Sequence, residues 1–170
     1  RDWSSDVCSS DLVTREGGNT TEATTTSTTA VDVLAVSGMS IATTAHVMFK
    51  VPYRKTTGAA NNAGTGLKVN ATETFAPFGG TSMGQTSGTD QAESRYWVAH
   101  LGPRIANYLH AATAWGMAAN NGAAAVGGNP VVTADMPAAT ITTIIIRGML
   151  GNAAITLGVD EVHIYSFATS

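Results

Sequence analysis

Thiol chemistry is the first thing missing. One cysteine, Cys8, occurs in 170 residues, and a lone thiol closes no disulfide framework and is too few for a thiolate zinc site. Charge is scarce as well: charged residues make up 12 % of the chain, about half the usual share. Lysine occurs only at Lys50, Lys55 and Lys68, and the net charge is −3. Nothing here would neutralise a phosphate backbone, so no nucleic-acid partner is expected. The longest apolar run, "ITTIIIRGML" at 141–150, is too short and too interrupted to cross a bilayer, so no membrane partner is expected either. What remains is rich in Thr, Ala, Gly and Ser. Such side chains lose little rotamer entropy on ordering, and Thr suits a pleated, half-buried surface. A surface of this composition is suited to lying against other protein subunits.

The opening stretch, "RDWSSDVCSSDL" at 1–12, has neither a helical nor a strand period. Back-translated, all twelve residues resemble a common short-read sequencing adapter read in one frame. The resemblance implies an assembly scar that takes no part in the fold and a native start that lies elsewhere. Arg1, Asp2, Asp6, Asp11 and Cys8 go with it, leaving a net charge of −1 and no thiol. The segment 13–30 reads as a Thr-rich N-terminal arm, and 31–170 as a single domain long enough to bury its own core.

Within that domain the dominant period is two. In "VDVLAVSGMSI" (31–41), Val31, Val33 and Ala35 alternate with Asp32, Leu34 and Val36, and Gly38 reads as a turn. In "HVMFKVPYRK" (46–55), Val47, Phe49, Val51 and Tyr53 share one face, while Met48, Lys50, Pro52 and Arg54 share the other. Pro52 predicts an edge strand or a bulge. "LKVNATETF" (67–75) alternates again and predicts a hairpin with 46–55 around a Gly/Asn loop. Residues 76–93 read as a loop and 94–101 as a strand. The segment 103–117 fits a helix face through Ile105, Tyr108, Leu109, Ala112 and Trp115, although its neighbours argue for a strand. Residues 118–130 read as loop. The segment 139–150 reads as a strand with Thr140, Thr142, Ile144 and Ile146 on one side, and 153–167 closes the chain with one or two more. About eight short strands with Gly-rich turns predict an all-β, antiparallel two-sheet sandwich of jelly-roll type.

Motifs that carry chemistry are few. "GAANNAGTGLK" (58–68) lacks the spacing and the following helix of a phosphate loop. His46, His100, His110 and His163 sit in no metal-binding spacing. Glu161 and His163 share a strand face beside Asp160, which could hold a cation, although the polar face of a final strand is the simpler account of them and is preferred. No G-x-S-x-G elbow marks a nucleophile, and no pair of acids is placed for glycoside hydrolysis. No enzymatic activity, catalytic residue, metal or cofactor is therefore expected. Trp97, Tyr108 and Trp115 could stack on a sugar, with Trp115 the strongest candidate. Tyr96 and Trp97 point to opposite faces of one strand, so at least one belongs to the core. Asn19 and Asn70 begin N-x-Thr sequons.

Taken together, "VDVLAVSGMSI", "RKTTGAANNAGTGLKVNATET" and "ITTIIIRGMLGNAAITLGVDEVHIYSF" resemble the β-rich structural proteins of tailed bacteriophages, above all capsid decoration and appendage proteins. The likeness spans most of 24–168 and lies in strand order, small-residue turns and closing strand. It implies a virion subunit assembled in the cytoplasm of a bacterial host. Such a subunit is often trimeric, and its partners are its own copies and other virion proteins such as the major capsid protein. "GVDEVHIYSF" (158–167) also looks like the last strand of carbohydrate-binding β-sandwich modules, which keeps a glycan-binding module of a phage fibre or secreted protein as the alternative.

Overall fold

A computed structural model describes residues 13–56, 63–77, 83–86, 93–102, 110–118, 132–136 and 139–167. The adapter-like stretch 1–12 and the helix-or-strand segment at 103–109 lie outside them. Alternation of Val, Ile and Thr with polar residues produces strands throughout, and no helix occurs among the described residues. The strands are β1 (Val13–Asn19), β2 (Ala23–Thr25), β3 (Val31–Ile41), β4 (His46–Thr56), β5 (Ala63–Val69), β6 (Thr72–Phe75), β7 (Met83–Thr86), β8 (Glu93–Gly102), β9 (His110–Ala118), β10 (Val132–Met136), β11 (Ile141–Leu150), β12 (Thr156–Val159) and β13 (Val162–Phe167). The first sheet runs β1-β13-β4-β8-β9-β10, with β12 also on β4 and β2 on β12. The second runs β3-β11-β5-β6, with β7 on β5. All pairings are antiparallel.

The two sheets enclose one apolar core. Val47, Phe49, Val51 and Tyr53 of β4 all point into it, as their spacing predicts, where they belong to one core with Val162 and Ile164 of the same sheet and Leu67, Ile144, Ile146 and Leu150 of the second. Each large side chain so buried contributes about 2 kcal/mol relative to exposure.

The structure departs from the sequence reading at several points, each with a local cause. Strands β4 and β5 form no hairpin, because β4 pairs with β8, β12 and β13 while β5 pairs with β6, β7 and β11. The chain thus changes sheet between Thr56 and Ala63. The stretch 67–75 is itself folded back at Asn70, which sits in the left-handed region at φ 54° between β5 and β6. Gly38 is not a turn. It lies inside β3 at φ 80°, where residues 38–40 face the single residue Thr142. This bulge resets the alternation, so that Leu34 and Val36 are buried before it and Met39 and Ile41 after it. For the same reason Thr142 is exposed while Ile141, Ile144 and Ile146 are buried. The Thr-rich segment 13–30 lies in the first sheet as β1 and β2. Strand β7 arises where a loop was expected and β6 within what was expected to be one longer strand, while β10 falls in 131–138, for which the sequence made no assignment.

The space around Gly38 is open, with no atom within 4 Å of a Cβ placed there. Only its backbone angle demands glycine. Gly38→Ala is therefore expected to cost about 1 kcal/mol from the left-handed conformation alone, measurable as a lower urea midpoint with an unchanged slope.

Candidate functional site

Pro52 shapes the outward face of the first sheet. It sits in the middle of β4, between β8 on one side and β12 and β13 on the other, and has no N–H to offer a neighbour. Toward β8 the ladder runs through it, with Pro52 opposite Tyr96. On the other side the register moves from Tyr53↔Val159 to Phe49↔Ile164. Five steps on one strand match four on the other, so one extra residue must be absorbed near Asp160–Glu161. Asp160 N–H still donates to the Pro52 carbonyl at 3.1 Å. Beyond this bulge Val162, Ile164 and Ser166 are buried, and Glu161, His163 and Tyr165 face outward. Of the two roles open to a strand proline, Pro52 lies opposite a bulge, carried by the β12–β13 side, and not at an edge.

Those three residues form one wall of a groove of about 370 Å³, completed by Met48, Phe49, Lys50 and Pro52 of β4 and Val98 of β8. Met48, Pro52 and Val98 make an apolar floor. Tyr165 stands on it, 38 % exposed. Arg15, brought alongside by the pairing of β1 with β13, reaches His163, with Nη2 2.8 Å from Nδ1. A guanidinium can only donate, so Nδ1 accepts and the imidazole proton resides on Nε2. That nitrogen faces Glu161 Oε2 at 3.4 Å. Arg15, His163 and Glu161 thus form one oriented chain along the rim.

A second histidine contact lies on the same face. His46 Nδ1 and His100 Nε2 are 3.0 Å apart, next to the end of β8 at Gly102. Burial, and then the proximity of His46, hold the His100 imidazole below its ordinary pKa.

Glu161 and His163 share a face as the sequence predicts. Asp160 does not complete a cation site with them, and no group of three His, Cys, Asp or Glu side chains that could hold a metal occurs among the described residues. Of the proposed sugar-stacking residues, Tyr108 lies outside the described residues. Trp97 and Trp115 fall on β8 and β9, where the register pairs Trp97 with Gly116 and Trp115 with Val98, so the two occupy neighbouring rungs. The groove residues Met48 and Tyr165, and the partnership of Arg15 with His163, were not singled out from sequence. Their only sequence signal is the outward parity of β4 and β13.

The groove brings together apolar surface, one phenol and a hydrogen-bonded polar rim, an arrangement suited to holding a partner surface. No protein-family model, curated protein or solved structure matches the chain.

Proposed function

We propose that this protein is a non-enzymatic virion structural subunit, a capsid decoration protein of a tailed phage that associates with its own copies, as a trimer, and docks on the major capsid protein. The observation that carries the reading is the groove on the outward face of the first sheet, where Met48, Pro52, Val98 and Tyr165 present apolar surface to the outside. A stable contact needs roughly 800 Å² per partner, and a sheet face of this kind can offer it. The phage assignment itself rests on the likeness of 24–168 to virion proteins, with assembly in the bacterial cytoplasm following from it. No cofactor enters this reading. Sedimentation equilibrium is expected to show a concentration-dependent trimer, and the protein is expected to sediment with capsids of the source phage. A chain that remains monomeric at every accessible concentration and stays in the supernatant when capsids are pelleted overturns the proposal.

A second reading, a carbohydrate-binding module, is favoured by Tyr165 standing exposed beside Lys50 and Glu161 in the same groove. It predicts signals on a glycan array that Tyr165→Ala removes, with Trp115→Ala testing the site expected from sequence. An empty array removes this reading and leaves the first untouched.

A further inference from the structure

The two imidazoles at the Gly102 end of the β4–β8 ladder do more than fill space. Their centroids are 5.1 Å apart and their planes lie within 11°, yet the facing nitrogens are only 3.0 Å apart. Rings packed face to face would keep atoms about 3.5 Å apart or more. The rings therefore meet edge to edge, and an N–H of one donates to the lone pair of the other. Such a bond holds one proton between two nitrogens. A first added proton leaves it intact, because the donor ring can take it on its far nitrogen. A second sets two N–H groups against each other and places two positive rings side by side.

We propose that His46 and His100 form a proton-operated clasp on the β4–β8 ladder, closed at neutral pH and released at its Gly102 end on acidification. The ladder joins the β1-β13-β4 half of the first sheet to the β8-β9-β10 half. The rungs beside the clasp are Val47↔Leu101 and Met48↔His100, and Met48 lies in the groove. Releasing the clasp therefore loosens the groove floor. The clasp stands on its own geometry, whatever the groove binds.

The surroundings favour this response. Lys50 lies further along β4, and Arg15 on β1 pairs with Tyr165 of β13; both add positive charge to the face. Tyr165 and His163 are the titratable residues that β13 supplies, and Glu161, just before it, is already held by His163. Phe167 of β13 is the register partner of His46, and Thr113 of β9 that of His100; β9 begins at His110. A proton binds His100 less readily in the folded state than in the unfolded chain. The stability linked to this group is thus complete above the ordinary imidazole value of about 6.5 and is lost as pH falls from there through the lowered folded-state pKa.

Gly102 offers a way to break the contact without touching a titratable group. A Cβ there would lie 2.6 Å from His46 Nδ1, so Gly102→Ala pushes the ring off its partner. The test is amide hydrogen exchange at 47–49 and 99–101, compared at about pH 7.5 and about pH 5.5 after correction for intrinsic rates. The wild-type protein is expected to lose about tenfold protection at these amides on acidification, roughly what losing one net hydrogen bond does to an opening equilibrium. His100→Gln, which keeps a hydrogen bond but takes no proton, and Gly102→Ala are both expected to abolish that step. His163→Gln, on the same face but outside the clasp, is expected to retain it. A flat wild-type profile, or a step that survives either clasp variant, overturns the proposal. Should those variants not fold, imidazole nitrogen NMR of the wild type decides: at neutral pH, one of His46 Nδ1 and His100 Nε2 protonated and the other bare supports the clasp, and both protonated or both bare refutes it.

Discussion

Asn70→Ala is expected to lower the folding free energy by about 3 kcal/mol and the melting temperature by about 10 °C. Asn70 sits between β5 and β6, yet its bonds reach to the start of β11. Its backbone N–H donates to the Thr143 carbonyl at 2.8 Å. Its side-chain amide donates to the Thr140 carbonyl at 3.0 Å. Its Oδ1 accepts from Thr142 N–H at 2.9 Å, Thr142 Oγ1 at 3.1 Å and Thr143 N–H at 3.3 Å. Alanine removes every side-chain bond and must also hold φ 54°, which asparagine tolerates and alanine resists by about 1 kcal/mol. The remaining 2 kcal/mol is about what two net hydrogen bonds contribute. Asn70→Asp keeps the acceptor and the tolerance of the left-handed region, so it is expected to lose only about 1 kcal/mol. Asn70→Gly should fall between the two. Chemical denaturation of the three variants ranks them, and an alanine variant as stable as the parent removes Asn70 as the bracket between the hairpin and β11. The same geometry bears on the sequon at Asn70–Thr72: its amide nitrogen is already engaged in holding β11.

Met48→Asp is expected to weaken self-association more than a hundredfold while leaving the monomer folded. Met48 is half-buried on the outward face, so a carboxylate there can reach water in the isolated subunit. In an assembled contact it would be enclosed among Pro52, Val98 and Tyr165 and would lose its water, with Lys50 the cation nearest along β4 in the groove. Truncating a central anchor typically costs 2 kcal/mol or more, and desolvating a carboxylate in an apolar contact adds to that. A loss of about 2.7 kcal/mol is a hundredfold in dissociation constant. Lys68→Ala provides the control. Lys68 bonds Asp32 at 3.1 Å on the outside of the second sheet, an exposed pair worth about 0.5 kcal/mol, and its loss is expected to leave the oligomer unchanged. If Met48→Asp sediments like the parent, the groove is not the association face.

The inward row of β4 and the common face of Glu161 and His163 were legible in the sequence because both depend only on alternation within one strand. Pro52 was legible as a disturbance, but whether it marked an edge or a bulge depended on what lay on either side of β4. The contacts that build the site were not legible. Arg15 and His163 are 148 residues apart, and His46 and His100 are 54 apart. Each pair meets through the register between strands from different parts of the chain, which no local pattern encodes. The hairpin at Asn70 escaped notice because its turn lacks the glycine that usually follows asparagine there. The two register shifts in β3 were equally hidden, since a bulge spoils the very alternation by which a strand is recognised.

Those shifts bear on how copies of this protein can meet. Strand β3 ends the second sheet, and eleven residues of straight, open backbone would be an invitation to stack sheet upon sheet without limit. Its course is instead bent twice, at Ile41–Ser37 and again at Leu34–Asp32, and Asn19 lies over the Ala35 carbonyl at 3.4 Å. A template so crooked is a poor seed for fibres. Crowded copies are thereby kept from pairing edge to edge in endless ribbons.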